Sequence, residues 1–203
     1  MSGARFIVFE GIDGCGKTTQ ITRLASAMRE MGRTVEVTAE PTATATGKML
    51  RASLSGADPR TPYEMAALFA LDRVVHNVGK GGIAQLLSGG SDVLCDRYYY
   101  SSLAYQGSLC DFDWVRQMNC ACPAIRHPDL CVFLDLQPKD ALARVSARGG
   151  ARESYEEEGT LTLFRNTFLH ILETVGDPVV IVDAKGTPDE VAARVLAAVT
   201  PYL

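Results

Sequence analysis

A glycine-rich segment near the start of the chain ends in a lysine and a threonine. Residues 11–18 read GIDGCGKT, a full match to the pattern G-x-x-x-x-G-K-[ST]. Its glycines let backbone N–H groups converge on phosphate oxygens. Lys17 can place its charge on the β- and γ-phosphates of a nucleoside triphosphate, and the Thr18 hydroxyl can bind Mg²⁺. The residues expected to contact the triphosphate are Gly11, Ile12, Asp13, Gly14, Cys15, Gly16, Lys17, Thr18 and Thr19.

The elements on either side of this segment fit the pattern. Residues 6–9 form an apolar run that predicts a buried strand directly before it. The residues after the segment predict a helix, one face of which would carry Ile21, Leu24, Ala25 and Met28. The positive N-terminal end of that helix would face a bound phosphate. Strand, glycine-rich turn and helix follow in the order that the pattern requires.

Short apolar strands alternate with amphipathic helices along the chain. Thr61 and Thr187 each precede a proline and stand three residues before a glutamate, a signature of helix starts. Residues 149–159 are polar and acidic and predict a mobile loop. The alternation predicts an α/β protein of the P-loop NTPase fold, a five-stranded parallel sheet flanked by helices on both faces. We predict strands over residues 6–9, 34–38, 92–95, 130–136 and 179–182, and helices over residues 17–31, 47–54, 62–78, 83–87, 114–121, 138–148 and 160–175 and from residue 188.

Polar residues stand where several predicted strands end. Glu40 follows the second strand, Asp96 and Arg97 close the third, and Asp183 follows the fifth. In parallel α/β sheets, ligands bind beyond the carboxyl ends of the strands. Asp96 and Arg97 are therefore candidates for the site, and a surface ion pair is the alternative.

Composition narrows the possible classes of protein. The chain has 203 residues, of which 47% are hydrophobic, and a net charge of −4. This favours one domain over residues 1–203, and the negative charge argues against general nucleic-acid binding. No apolar run approaches the ~20 residues of a membrane span, and the first residues lack the pattern of a signal segment. We expect a cytoplasmic protein whose six cysteines stay reduced.

Several further blocks resemble the thymidylate kinase family. They read FEGIDG (9–14), EPT (40–42), LFALDR (68–73), DRY (96–98), SSLAYQG (101–107), PDL (128–130) and LD (134–135). The resemblance extends from Phe6 to about Val195. It implies a dTMP kinase that transfers the γ-phosphoryl group of ATP to dTMP with Mg²⁺, giving dTDP and ADP in dTTP biosynthesis. It also implies a homodimer, and the apolar residues 66–71 fit either a dimer or deep burial in a monomer.

The resemblance assigns an acceptor site to a second group of residues. Phe69 and Arg73 lie four apart on one predicted helix, so a ring could stack on thymine while a guanidinium donates to its carbonyl oxygen. Arg51 would bind the dTMP phosphate, and Asp13 would meet the 3′-hydroxyl. The complete implied substrate-binding set is Asp13, Glu40, Pro41, Arg51, Phe69, Arg73, Arg97, Ser102, Tyr105 and Gln106. Within it, Ser102 and Gln106 would bond the base, and Tyr105 would pack against the deoxyribose.

The implied catalytic residues are cationic. Lys17 and Arg97 would neutralise the transferring phosphoryl group, and Asp96 would hold Mg²⁺ with Thr18. Some relatives carry a further arginine in the phosphate loop, but here Gly14 occupies that position. We hypothesise that Arg148 and Arg152 supply the charge from a lid over about residues 144–159.

Alternatives remain for individual residues and for the function. Phe69 could be a core residue, Arg51 and the lid arginines could be solvated, and Asp13 could be tolerated by chance in the loop. The chain could phosphorylate another deoxynucleotide or a modified pyrimidine. It could also be a nucleotide-dependent switch that hydrolyses slowly, in which case no acceptor pocket is expected.

Overall fold

The computed structural model describes residues 3–147 and 158–203. Within these ranges, five β-strands and nine α-helices alternate along the chain. The strands are β1 (Phe6–Glu10), β2 (Val35–Ala39), β3 (Asp92–Asp96), β4 (Leu130–Asp135) and β5 (Val179–Asp183). The helices are α1 (Lys17–Glu30), α2 (Ala45–Leu54), α3 (Pro62–Val78), α4 (Ile83–Ser88), α5 (Tyr99–Tyr105), α6 (Phe112–Cys120), α7 (Pro138–Ala147), α8 (Glu158–Thr174) and α9 (Pro188–Val199).

The five strands form one sheet in the order β2-β3-β1-β4-β5, and every pair is parallel. β1 lies in the centre, and all five of its residues are buried. Because the strands run the same way, their carboxyl ends share one edge of the sheet. The phosphate loop after β1 therefore lies beside the residues that follow β2, β3 and β5.

Successive residues of the central strands face opposite sides of the sheet, and helices cover both sides. Ile7 and Phe9 pack in an apolar cluster with α1, α7 and α9, whereas Phe6 and Val8 pack in a second cluster with α3, α4, α5 and α6. α8 contributes to both clusters. The prediction of a five-stranded parallel sheet with helices on both faces is therefore confirmed. Burial of the central strands on two sides is typical of parallel sheets.

The predicted helix starts at Thr61 and Thr187 are confirmed. Each threonine side chain accepts a hydrogen bond from the backbone N–H of the glutamate three residues later. Each glutamate in turn accepts from the backbone N–H of its threonine. The two capping boxes satisfy N–H groups that a helix end otherwise leaves unpaired.

Several predictions of secondary structure need correction. Helices α2 and α6 each begin two residues earlier than predicted, at Ala45 and Phe112. Helix α5 was not predicted, and the side chain of its N-cap residue, Tyr98, forms no capping hydrogen bond.

The loop predicted to continue to residue 159 is wrong at its end, because α8 already begins at Glu158. An acidic residue is favourable in a first helical turn, and Leu161 and Phe164 hold the following turn in the core. The rest of the predicted loop lies outside the described residues.

Among the residues that the structure describes, no helix has both the length and the apolar character needed to cross a membrane.

Candidate active site

The phosphate loop between β1 and α1 is shaped by close contacts that only glycine permits. Gly14 has a φ of 85°, and a Cβ atom there would lie 2.5 Å from the carbonyl oxygen of Ala141 in α7. The buried Lys17 side chain folds back over the loop, and its Nζ donates to the carbonyl oxygens of Gly11 (2.9 Å) and Ile12 (3.3 Å). The loop thus holds a cation at the N-terminal end of α1, where phosphate binding is favoured.

Thr18 and Asp96 meet across the edge of the sheet. The Thr18 hydroxyl donates to Asp96 Oδ2 over 2.8 Å. They line a cavity of about 240 Å³, together with residues of the phosphate loop, Glu40 and Arg97. Hydroxyl and carboxylate oxygens are the donors that Mg²⁺ prefers, and Mg²⁺ sites commonly use one or two carboxylates plus substrate phosphates. The predicted metal-binding pair therefore fits a magnesium ion beside the phosphate loop.

Arg97 follows β3 and turns back toward the loop. Its backbone adopts a φ of 69°, and its N–H donates to the carbonyl oxygen of Phe9. Its guanidinium pairs with Asp13, donates to Ser101 Oγ (3.2 Å) and lies 5.7 Å from the centroid of the Tyr105 ring. Burial acts to lower the pKa of Arg97, but Tyr105, Asp13 and Glu10 outweigh it and raise the pKa. The guanidinium therefore keeps its charge at the centre of the site.

Glu10 organises the segment that carries Arg97. This buried carboxylate ends β1 and accepts from the backbone N–H of Tyr98 (2.8 Å), the backbone N–H of Ser101 (3.1 Å) and Ser101 Oγ (2.8 Å). Burial raises the pKa of Glu10, and the charge of Arg97 opposes this rise without cancelling it. No role was predicted for Glu10, whose place beside the phosphate-loop glycine was its one signal in the sequence.

Glu40 and Arg73 form a buried ion pair next to this edge. Glu40 Oε2 accepts from Arg73 Nε (2.9 Å) and Nη2 (2.6 Å), while Glu40 Oε1 lies 3.0 Å from His76 Nδ1. Arg73 Nη1 donates to Ser102 Oγ over 3.2 Å. Three residues of the predicted substrate-binding set therefore meet in one cluster.

Other predicted residues take more exposed positions. Arg51 is exposed on α2 and donates to the carbonyl oxygens of Pro41 (2.8 Å) and Thr42 (2.6 Å). Phe69 is half-buried on α3 and, of the described residues, belongs to neither apolar cluster. Gln106 is half-buried at the carboxyl end of α5. Within the described ranges, no hydrogen bond or ion pair joins the side chain of Phe69 or Gln106 to the Glu40–Arg73 cluster.

A profile of the family described as thymidylate kinase matches residues 9–195. The chain belongs to the thymidylate kinase family. Members of this family phosphorylate dTMP with ATP, and this is the activity of the chain, which yields dTDP and ADP.

Relatives of known name resemble the chain over nearly its whole length. A thymidylate kinase of Synechococcus sp. (strain JA-2-3B'a(2-13)) is 39% identical over 203 residues, which cover 98% of this chain and 95% of the relative. A probable thymidylate kinase of Pyrococcus horikoshii is 38% identical over 202 residues, with 96% and 95% covered. A thymidylate kinase of Solidesulfovibrio magneticus is 35% identical over 213 residues, with 98% and 100% covered.

A second cavity of this thymidylate kinase lies on the other side of the phosphate loop. It has a volume of about 410 Å³ and is bordered by loop residues, Arg144 of α7, and Gly186 and Val191. Arg144 Nη2 donates to the carbonyl oxygens of Ala184 (2.9 Å) and Gly186 (3.1 Å). Arg144 thus links α7 to the segment after β5. Arg148 and Arg152 lie outside the described residues, so their role stays a prediction.

A buried aspartate for which no role was predicted, Asp72, lies beside the acceptor-side cluster. Asp72 is adjacent to Arg73 on α3 and accepts from the backbone N–H of Thr42 (2.8 Å) and from the hydroxyls of Thr42, Thr44 and Thr46. Burial alone would raise the pKa of Asp72, but these hydrogen bonds outweigh it and lower the pKa. Asp72 therefore ties the loop between β2 and α2 to α3. The alternating threonines of residues 42–46 were a signal for a shared acceptor.

Proposed function

We propose that this thymidylate kinase binds ATP and dTMP on the two sides of the Asp13–Arg97 pair, with Mg²⁺ between the phosphate loop and Asp96. The observation that carries the proposal is the position of Arg97, whose guanidinium lies between the phosphate-loop residue Asp13 and the Tyr105 ring. One cation at this point can reach phosphates arriving from either side.

The donor side is the phosphate loop with the cavity beside Arg144. The loop residues 11–19 bind the triphosphate through backbone N–H groups and Lys17. The cavity of about 410 Å³ next to Gly186 and Val191 has room for a nucleoside base. The backbone of residues 183–186 then borders the adenine.

The acceptor side is formed by the residues around Arg73. Phe69 stacks on the thymine, Arg73 donates to its carbonyl oxygen, and Ser102 and Gln106 complete the bonds to the base. Tyr105 packs against the deoxyribose, and Asp13 accepts from its 3′-hydroxyl. Arg51 binds the acceptor phosphate: its guanidinium has five N–H groups, and Pro41 and Thr42 accept two of them, counting partners in the described part of the chain.

Transfer proceeds by positioning and charge neutralisation. An ionised oxygen of the dTMP phosphate forms a bond to the γ-phosphorus as the bond to the β-phosphate oxygen breaks, so no strong general base is needed. Lys17 and Arg97 balance the negative charge as it shifts. Thr18 and Asp96 would hold Mg²⁺, which when bound would supply charge neutralisation at the triphosphate oxygens. Arg148 and Arg152 provide the remaining cation, since Gly14 has no room for a side chain.

We also propose that the enzyme acts as a homodimer that pairs through α3. The exposed residues Ala67, Leu71 and Val78 follow one another at spacings of four and seven residues, so they share one face of the helix. Leu71 is 51% exposed and Val78 is 59% exposed. A regular apolar stripe on a helix is typical of a face that pairs with a second copy.

The kinetic effects of three arginine substitutions test the assignment of roles. Arg51→Ala is expected to raise KM for dTMP by about 10-fold or more and to leave KM for ATP nearly unchanged, because only the acceptor loses a charged partner. Arg97→Ala is expected to lower kcat by about 100-fold or more, because its charge acts on the transferring group. Arg152→Ala should also lower kcat while KM for dTMP stays near the parent value.

Arg126→Ala is the matched control. Arg126 is exposed, and within the described part of the chain its guanidinium forms an ion pair only with Asp129. Steady-state assays of ADP release with both substrates varied give the constants. A normal kcat in Arg97→Ala, or equal changes in both KM values in Arg51→Ala, would contradict the assignment.

A further inference from the structure

Asn119 is a fully buried polar residue on α6, a helix that contributes none of the predicted site residues. Its exposed fraction is 0%. Its Nδ2 donates to the carbonyl oxygen of Val115 over 2.8 Å, which fixes the amide so that Oδ1 faces away from its own helix turn. That oxygen accepts a hydrogen bond from Arg73 Nη1. Asn119 therefore connects α6 to the guanidinium assigned to base recognition.

The bonds of Arg73 leave little of its guanidinium free. A guanidinium has five N–H groups. Glu40 accepts one from Nε and one from Nη2, and Ser102 and Asn119 accept the two from Nη1. These bonds use four N–H groups, so one N–H on Nη2 is left for a ligand, counting the partners within the described part of the chain. Arg73 is itself only 1% exposed.

The guanidinium is held from opposite sides by different elements. Glu40, after β2, holds Nε and Nη2, and His76 in turn holds Glu40. Asn119 holds Nη1, and the Tyr98 ring lies 5.2 Å from the guanidinium carbon. Without the amide of Asn119, the Nη1 end would keep only the bond to Ser102, and the plane of the guanidinium could turn about its Glu40 end.

We propose that Asn119 is a positioning residue that sets the nucleobase selectivity of the enzyme by fixing the direction of the remaining Arg73 N–H. This rests on the proposed contact between Arg73 and the base. Thymine carries a carbonyl oxygen at position 4 that accepts a hydrogen bond, whereas cytosine carries an amino group there that donates one. An Arg73 N–H held in a fixed direction donates a hydrogen bond to the carbonyl oxygen of thymine. In cytosine the same N–H faces the amino group, which is also a donor, so no hydrogen bond forms. A donor that can turn away loses that discrimination.

The test compares dTMP with dCMP as acceptors. Asn119→Leu keeps the size of the side chain and removes the acceptor, so the ratio of kcat/KM for dTMP to that for dCMP is expected to fall by about 10-fold or more. Asn119→Asp keeps the acceptor oxygen and is expected to hold the ratio within about threefold of the parent. Should Asn119→Leu fail to fold, as judged by circular dichroism, Asn119→Ser takes its place, because serine cannot reach the guanidinium.

Asn77→Leu is the matched control. Asn77 is also buried, and its amide bonds the backbone carbonyl of Arg73 and the Tyr98 hydroxyl without touching the guanidinium. Its loss is expected to lower stability and leave the ratio unchanged.

The outcomes separate this inference from the function on which it rests. A parent enzyme with no preference for dTMP over dCMP would contradict the role of Arg73 itself. A parent preference that persists in Asn119→Leu, with both activities lowered in proportion, would leave that role intact and overturn the role of Asn119.

Discussion

At the scale of single residues, the backbone of Arg97 matters as much as its guanidinium. A φ of 69° is uncommon for a side chain of this size, and such conformations persist only where surrounding contacts enforce them. Here Phe9 accepts the N–H of Arg97 and Glu10 accepts the N–H of Tyr98. The turn therefore directs the guanidinium back over the phosphate loop, toward Asp13.

Asp72 gives a residue-scale prediction about stability. Because its pKa is lowered in the folded protein, Asp72 stabilises the fold above its unfolded pKa, and this contribution is lost as the pH falls through the folded pKa. Asp72→Asn is expected to lower the free energy of unfolding by about 1–3 kcal/mol at neutral pH. The difference between parent and variant should start to shrink below about pH 4, where Asp72 of the unfolded chain takes up a proton, and it should be lost once the pH has fallen through the lowered pKa of the folded protein.

Urea unfolding at neutral and acidic pH measures both values. Asp113→Asn, at an exposed position of α6, is the control and should change the free energy by less than about 0.5 kcal/mol. A deficit of the same size at both pH values would contradict the account of Asp72.

At the scale of elements, helix α5 depends on a residue that is remote in sequence. Glu10 precedes Ser101 by 91 residues, yet it accepts the N–H groups at the start of α5 in place of a local cap. A helix start is recognised in a sequence by a capping residue directly before the helix, such as Thr61 or Thr187. The start of α5 has no such residue and therefore could not be predicted. The helix carries Ser102 and Tyr105, so Glu10 links the phosphate-loop strand to the acceptor side.

Removal of this cap is the element-scale prediction. Glu10→Ala leaves two N–H groups and a hydroxyl without their buried acceptor, so the free energy of unfolding should fall by about 2–4 kcal/mol. kcat should fall as well, because Arg97 loses the turn that directs it. Glu36→Ala, at an exposed position of β2, controls for the loss of a carboxylate. Equal stability of the two variants by chemical denaturation would refute the capping role.

At the scale of the whole molecule, the alternation of strands and helices predicted the sheet and both helical layers because these signals are local. Apolar runs such as residues 6–9 predicted strands that are buried on both sides of the sheet. The eight-residue pattern of residues 11–18 predicted the phosphate loop. The partners of Arg73 could not be predicted in this way. Glu40 follows β2, Ser102 lies on α5 and Asn119 lies on α6, and only the folded chain brings them within bonding distance of Arg73.

The exposed stripe on α3 gives a prediction about assembly. Leu71→Asp places a charge within the proposed interface and should convert the dimer to a monomer, as measured by sedimentation over a range of protein concentrations. Leu163→Asp is the matched control, because Leu163 is 59% exposed but lies on a different helix, α8, and should leave the dimer intact. A monomeric parent protein, or a Leu71→Asp variant that still dimerises, would rule out pairing through α3.

The transfer of label from γ-labelled ATP to dTMP tests the central claim most directly. With Mg²⁺ supplied, the label should appear in dTDP in step with the release of ADP, and chelation of the metal should abolish the transfer. Label that appears only in inorganic phosphate, or transfer that is indifferent to the presence of dTMP, would contradict an acceptor site beside the phosphate loop.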